Sequence, residues 1–304
     1  MSAGGQECAE AAADAAFERH RRRLFGLAYK MLGSLAETED VLQEAWLRWR
    51  GADRAAVRDE GAFLARTVTR LSLDVLRSAR VKREAYLGTW LPEPIVDETT
   101  PAPDESVELA SDLSVALVLA LERLTPLERA AFLLHDVFDM PFAEVAETLG
   151  KSVEACRQLA GRGRIHVAEE RPRAKTSAKA SPEEGQALAS AFLKASRAGD
   201  MAGLVAILAP DAVLRADGGG VRPAAMKPLV GAERIANFFG RMIRLNLPVE
   251  PRSATFTSIN GLPGYVTIEA DGLPQTTAFE IADGRIAAVY VVRNPEKLGR
   301  LMGW

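Results

Sequence analysis

"MPFAEVAETLGKSVEACRQLAGRGRIHV", residues 140–167, is the stretch on which the reading of the chain turns. Phe142, Val145, Ala146 and Leu149 recur at helical spacing and give a short helix one apolar face. Gly150 ends that helix, because glycine accepts the left-handed backbone of a helix terminus. Ser152 can cap the helix that follows. On this second helix Ala155, Cys156, Leu159 and Gly163 turn to a core. Glu154, Arg157, Gln158, Gly161 and Arg162 turn outward. The pattern is a helix-turn-helix, whose second helix can enter a DNA major groove. Arg157 and Gln158 suit base edges, and Arg162 and Arg164 suit phosphates. A packed helical hairpin with no DNA partner would share the pattern. Gly161 and Gly163 each cost about 1 kcal/mol inside a helix. Either something approaches closely there, or the helix frays.

Around this stretch the helical pattern extends over residues 112–168, with breaks at Thr125-Pro126 and at Gly150-Lys151-Ser152. Upstream, residues 14–83 are helical as well. Leu24, Leu27, Ala28, Met31 and Leu32 form one stripe, and Val41, Leu42, Ala45, Trp46 and Trp49 a second. A third runs from Phe63 to Leu76 after the loop "RGADRAAVRDEG". Residues 92–111 hold four prolines and many acids and read as an extended linker. Residues 171–182 form a second, basic linker.

Beyond Ser181, which with Pro182 and Glu184 forms a capping box, the pattern changes. Helices are expected at 182–198, 201–208 and 233–245, and strands at 212–216, 254–259, 265–270, 275–281 and 285–292. Asn260-Gly261, Asp271-Gly272 and Asp283-Gly284 supply the turns. Helices followed by an antiparallel meander make an α+β domain.

The formal net charge is only −3, but the charge is segregated. Arg66, Arg70, Arg77, Arg80, Lys82 and Arg83 stand against Asp74 alone in one segment. Arg157, Arg162, Arg164, Arg171, Arg173 and Lys175 cluster in another, and residues 93–112 between them are acidic. Two basic segments about an acidic spacer fit two nucleic-acid contacts joined by a linker that avoids phosphate. Solvated helix faces about a spacer are the plainer account. Two cysteines are too few for a disulfide framework or a zinc site. Cys156 reads as a small core residue, and Cys8 falls in a tail expected to fray. The first residues carry no signal-peptide pattern, and the longest apolar run, Val115–Leu121, is too short to span a bilayer. A cytoplasmic protein without a membrane partner is expected.

"AETEDVLQEAWLRWR" (36–50) and "FLARTVTRLSLDVLRSARVKRE" (63–84) resemble the second domain of an extracytoplasmic-function (ECF) sigma factor of the sigma-70 family. "LTPLERAAFLLHDVFDMPFAEVAETLGKSVEACRQ" (124–158) resembles its fourth domain. The remainder resembles the SnoaL-like, cone-shaped domain fused to one sigma subgroup, the SigJ type. Three marks of that subgroup appear as Trp90, Leu91, Pro92, Glu93 and Pro94, as Asp217, Gly218, Gly219, Gly220 and Val221, and as Asn294, Pro295, Glu296, Lys297 and Leu298. Val221 replaces a lysine and Glu296 an aspartate of the subgroup pattern; Arg222 or Lys227 is the candidate to restore the missing charge.

The resemblance implies a multi-domain chain with two all-α sigma domains, the second a helix-turn-helix, and a C-terminal α+β SnoaL-like domain. The boundaries that follow are 10–88 for region 2, 89–111 for the linker, 112–170 for region 4, 171–182 for the basic linker and 183–304 for the third domain. It implies that Asp40, Gln43 and Glu44 bind core RNA polymerase. It assigns the −10 promoter element to Arg66, Arg70, Arg77 and Arg80, and the −35 element to Glu154, Arg157, Gln158, Arg162 and Arg164. Residues 90–94 would dock on the Asp217 and Asn294 motifs, with Trp90 as aromatic anchor. A separate anti-sigma partner is not evident, because the fused domain can regulate in cis. That domain has room for a small-molecule ligand.

Cone folds also host enzymes, whose chemistry needs a buried carboxylate or histidine. His20, His135 and His166 all precede this domain, and only Glu269 and Glu280 lie within its strand patterns. No catalytic residue, metal site or cofactor is therefore expected. Two rival readings remain: a ligand-sensing helix-turn-helix regulator acting without polymerase, and an enzyme fused to a DNA-binding domain.

Overall fold

The computed structural model describes residues 3–84, 86–96, 114–170, 180–245 and 250–302. The chain divides into two compact units, Met1–Glu84 with Ala116–Arg171, and Ala85–Val115 with Pro172–Trp304. Most of the acidic and basic linkers read from the sequence lies outside the described residues. Among those described, no helix is long and apolar enough to cross a membrane.

In the first unit, α1 (Ala3–Leu32), α2 (Leu35–Arg50) and α3 (Glu60–Glu84) pack together. The tail expected to fray around Cys8 is part of α1; its alanine-rich sequence favours helix. Gly33, at φ +68°, separates α1 from α2, and the Ser34 hydroxyl accepts from Glu37 N. The two tryptophans of α2 are polar anchors as well as core. Trp49 is fully buried, and its Nε1 donates to Ala13 O at 2.9 Å. Trp46 Nε1 donates to Asp14 Oδ1, also at 2.9 Å.

α4 (Val115–Glu122) and α5 (Pro126–Phe132) follow, the second opened by a reciprocal capping box of Thr125 and Glu128. Then comes a turn of wider helix, Leu133–Val137, which the periodicity does not reveal. The chain leaves it through Asp139 at φ +53°. α6 (Phe142–Leu149) ends at Gly150, at φ +61°, and α7 (Val153–Glu170) completes the helix-turn-helix. Cys156 is buried, and burial pushes its thiol pKa up, consistent with a packing role.

The helical domains read separately at 10–88 and 112–170 share one continuous core, from Leu27 and Leu64 to Leu133, Val145 and Cys156. Three arginines stitch it at the helix ends. The last carbonyls of a helix have no amide partner and carry the negative end of its dipole. Arg129 of α5 donates to Met31 O at the end of α1. Arg23 of α1 donates to Phe138 O at 2.7 Å. Arg70 of α3 donates to Glu147 O and Thr148 O at the end of α6, both at 3.1 Å.

The second unit holds α8 (Pro182–Ala198), α9 (Met201–Ile207) and α10 (Ala232–Arg244) against a six-stranded sheet. Its strands are β1 (Leu208–Asp217), β2 (Leu229–Val230), β3 (Ser253–Ile259), β4 (Leu262–Ile268), β5 (Pro274–Ala282) and β6 (Arg285–Val292). Their order is β2-β1-β6-β5-β4-β3, with β3 to β6 an antiparallel meander and β1 parallel to β6. This is the α+β domain expected. Three details differ: β1 starts at Leu208, the two-residue edge strand β2 has no counterpart in the spacing, and β4 starts at Leu262, directly after a two-residue turn. Asn260 and Gly261, at φ +50° and +71°, both take the left-handed backbone that such a hairpin needs.

The two glycines of α7 separate into different roles. The helix runs through both, so it does not fray there. A Cβ on Gly163 would stand 2.9 Å from Phe132 Cβ, whereas one on Gly161 would meet nothing within 4 Å. Gly163→Ala is therefore expected to destabilise the first unit by about 1–3 kcal/mol through overpacking. Gly161→Ala should stabilise it by about 0.5–1 kcal/mol. Paired urea denaturation curves would check the opposite signs.

Candidate functional site

On α2, Asp40 and Gln43 are exposed and Glu44 is half-buried. Glu44 Oε1 accepts from Arg48 Nε at 2.9 Å. One helical turn on, Leu47 is 51% exposed. Residues 40, 43, 44 and 47 make one stripe, and the sequence reading missed its apolar member. The spacing i, i+3, i+4, i+7 was the available signal.

The described cations of α3 are engaged within their own unit. Arg66 Nη1 lies 3.3 Å from Glu147 Oε2, and Arg70 holds the end of α6. Arg77 pairs with Asp74 at 3.0 Å, one turn away. Arg80 has no described side chain. Both are thus held against α6, Arg66 by the Glu147 carboxylate and Arg70 by the C-terminal carbonyls, while Arg70 stays exposed.

On α7, Glu154, Arg157 and Gln158 are exposed. The Arg157 guanidinium lies over the Phe142 ring at 5.8 Å and 3.5 Å from Glu154 Oε2. Arg162 Nε donates to Glu128 Oε1 and Arg164 Nε to Asp136 Oδ1, each at 2.6 Å. Burial acts to raise the Glu128 pKa, but Thr125 and Arg162 outweigh it and hold the carboxyl below the usual range. Both arginines stay about half exposed, at 55% and 45%, and keep donors free for a phosphate.

In the second unit, the segment 86–96 lies on the sheet domain. Asp217, at the end of β1, is fully buried. Its carboxylate accepts from Tyr86 Oη at 2.5 Å, Leu91 N at 2.9 Å, Gly219 N at 2.9 Å and Lys297 Nζ at 2.8 Å. Lys297 also donates to Leu91 O and sits over the Trp90 ring at 4.4 Å. Asn294 Nδ2 donates to Tyr86 Oη at 2.9 Å, while its Oδ1 accepts from Glu296 N. Burial first, and the Asp217 carboxylate second, push the Tyr86 pKa up. Further along, Asn260 N donates to Ile95 O and Ile95 N to Asn260 Oδ1, and Val96 bridges to Ile259.

Three readings change here. The fully buried anchor is Leu91; Trp90 is half-buried beneath an ammonium. Pro92, Glu93 and Pro94 are buried with Leu91. Tyr86, just before the linker motif, was overlooked, since a lone tyrosine beside basic residues carries no pattern. Neither Arg222 nor Lys227 replaces the motif lysine. Val221 is 70% exposed, Lys227 is exposed, and Arg222 turns to Asp271 Oδ2 at 2.8 Å. Lys297, from the third motif, supplies the charge at Asp217. Of that motif, Leu298 and Asn294 are buried; of the glycine loop, Gly219 and Gly220 take φ of +65° and +72°.

Glu269 and Glu280 also resolve. Glu280 accepts from Tyr290 Oη at 3.0 Å. Glu269 is buried and faces inward, in a two-pronged pair with Arg197 at 2.6 and 2.9 Å and a 2.6 Å bond from Thr267 Oγ1. Burial would raise its pKa, but the bonds and charge of Arg197 hold it low. Such a carboxylate is a poor general base. Among the described residues, no cluster of His, Cys, Asp and Glu is placed to hold a metal.

Comparison with known proteins places these sites in a family. Residues 16–81 match sigma-70 region 2, and residues 114–167 match sigma-70, region 4. The chain is 38% identical over 291 residues to the ECF RNA polymerase sigma factor SigJ of Mycobacterium tuberculosis, covering 92% of this chain and 91% of that protein. It is 33% identical over 220 residues to SigG of the same species, covering 64% of this chain and 59% of SigG. The crystal structure of M. tuberculosis SigJ superposes with a TM-score of 0.71 at 34% identity, covering 94% of this chain and 98% of that one. With both sigma-70 regions in order and a relative matched through the third domain, the chain belongs to the ECF family of RNA polymerase sigma factors.

Proposed function

We propose that the chain is an alternative sigma factor of the bacterial cytoplasm that directs promoter-specific initiation and is regulated in cis by its third domain. The observation that carries this reading is the exposure of one polar face on each sigma region. On α2 that face is Asp40, Gln43 and Glu44; on α7 it is Glu154, Arg157 and Gln158. The α2 face is the surface for core RNA polymerase, with Leu47 as its apolar centre. The α7 face reads the −35 element, with Arg162 and Arg164 on phosphates. Arg66, Arg70, Arg77 and Arg80 serve the −10 element once α3 is released from α6. A regulator acting without polymerase has no use for the α2 face.

Regulation in cis is read from the linker. It leaves region 2 and runs onto the third domain, so its docking bears on the geometry available to both DNA-binding regions. Glu269, tied to Arg197, and the lack of histidine in this domain favour a regulatory role over catalysis. A small molecule bound in this domain is the candidate signal.

Run-off transcription with purified core polymerase on a promoter-fragment library tests the reading. The full chain should yield defined transcripts. Asp40→Ala with Leu47→Ala should lose core binding, and Arg157→Ala should weaken promoter binding roughly ten- to a hundredfold. No transcript and no core binding by the unaltered chain would end the sigma assignment.

Docking has its own expected outcome. Asp217→Ala leaves a buried ammonium without its partner, which costs about 3–5 kcal/mol. Leu91→Ala should cost about 2–5 kcal/mol. Trp90→Ala should cost less than either, because its ring is half-buried. Denaturation of the three variants, with protease cleavage within 86–96 as a second readout, checks that order.

A further inference from the structure

A cavity of about 660 Å³ lies within the third domain, between the sheet and helices α8 and α10. Its volume falls in the range of small-molecule sites. The walls are apolar and largely aromatic: Phe192, Phe238, Phe239, Tyr265, Met242 and Leu214. One end is charged. Arg197, Arg222 and Arg293 meet Glu269 and Asp271 there, one positive charge in excess within that cluster, and the exposed Arg241 of α10 adds a further cation to the lining.

The excess can be assigned to a residue. Arg197 is matched by Glu269, and Arg222 by Asp271 and Pro274 O. Arg293 has no carboxylate within ion-pair distance among the described residues. Its Nη1 donates to Pro223 O at 2.6 Å, and its Nε is buried with no acceptor. A guanidinium carries five donors, and a buried one without an acceptor is costly. Burial and the neighbouring Arg222 disfavour its charge, and push its pKa down. A ligand anion at the outer nitrogens of the guanidinium would offset the cost of its charge.

We propose that this cavity binds an amphipathic organic acid, a carboxylate on an apolar or aromatic body, with its head group on Arg293. The aromatic walls take the body. Val221, which replaces the motif lysine, also lines the cavity and is 70% exposed, so the substitution adds apolar surface to the lining. The site also lies beside the docked linker: Arg293 precedes Asn294, and the Arg293 amide donates to Asp217 O at 2.7 Å. The proposal rests on reading the third domain as regulatory.

Titration calorimetry on the full chain, without polymerase or DNA, tests it. The probes are hexanoate, decanoate and 2-naphthoate, each against its neutral alcohol. At least one acid should bind saturably, about tenfold or more tighter than its alcohol. Arg293→Met should abolish that preference while the alcohol still binds. Arg293→Lys should retain the preference, and Met242→Trp, which fills the cavity, should abolish binding of both probes. The proposal is overturned if no acid binds, if acid and alcohol bind alike, or if Arg293→Met keeps the preference. Should Arg293→Met fail to fold, the Lys and Trp variants decide. Binding accompanied by chemical conversion of a probe would overturn the regulatory reading and leave the site itself standing.

Discussion

Asp217 is a carboxylate without access to water, and the third domain is arranged around its needs. A buried carboxylate is tolerated only when its lone pairs are filled. Here four donors fill them, and they come from widely separated parts of the sequence: Tyr86, Leu91, Gly219 and Lys297. Two of the four, Tyr86 and Leu91, belong to the segment 86–96 that holds the start of the linker. The linker is therefore part of the solution to a desolvation problem inside the third domain. Removing it would leave Asp217 with Gly219 and Lys297 alone.

The helical unit answers a similar problem with the opposite charge. Helix ends expose carbonyls, and Arg23, Arg70 and Arg129 each reach across to fill them. These contacts join two sigma regions that the sequence presents as separate. Their common core adds apolar burial, and the arginines fix which helix ends meet.

Much of this was legible in the sequence. Helix spacing, Gly150, the Thr125-Pro126 cap and the Asn-Gly and Asp-Gly turns gave element types and most breaks, because each is a local rule. The polar faces of α2 and α7 followed from the same periodicity. What escaped was long-range. Nothing near Lys297 says that its ammonium completes a site at Asp217, eighty residues away. Nothing near Tyr86 marks it as a partner of the same carboxylate. Trp90 drew attention by size, yet Leu91 is the better buried, because its neighbour's ring is turned toward an ammonium. Glu269 could not be placed inward or outward by alternation alone, since it lies just past the end of β4. The wide helical turn at Leu133–Val137 has no signature in hydrophobic spacing at all.

The engagement of Arg66 and Arg70 by α6 bears on how such a protein behaves before it finds polymerase. A genome offers about a million to a billion competing non-specific sites. Attraction to them is set by how many cations can displace counterions from the phosphates. A phosphate that approaches the exposed Arg70 meets a guanidinium with two of its five donors already on backbone carbonyls. Arg66 and Arg70 therefore present fewer free donors to bulk DNA than two unengaged arginines would. Under the proposed function, a partner that parts α3 from α6 would release all of these donors at the promoter and not before it.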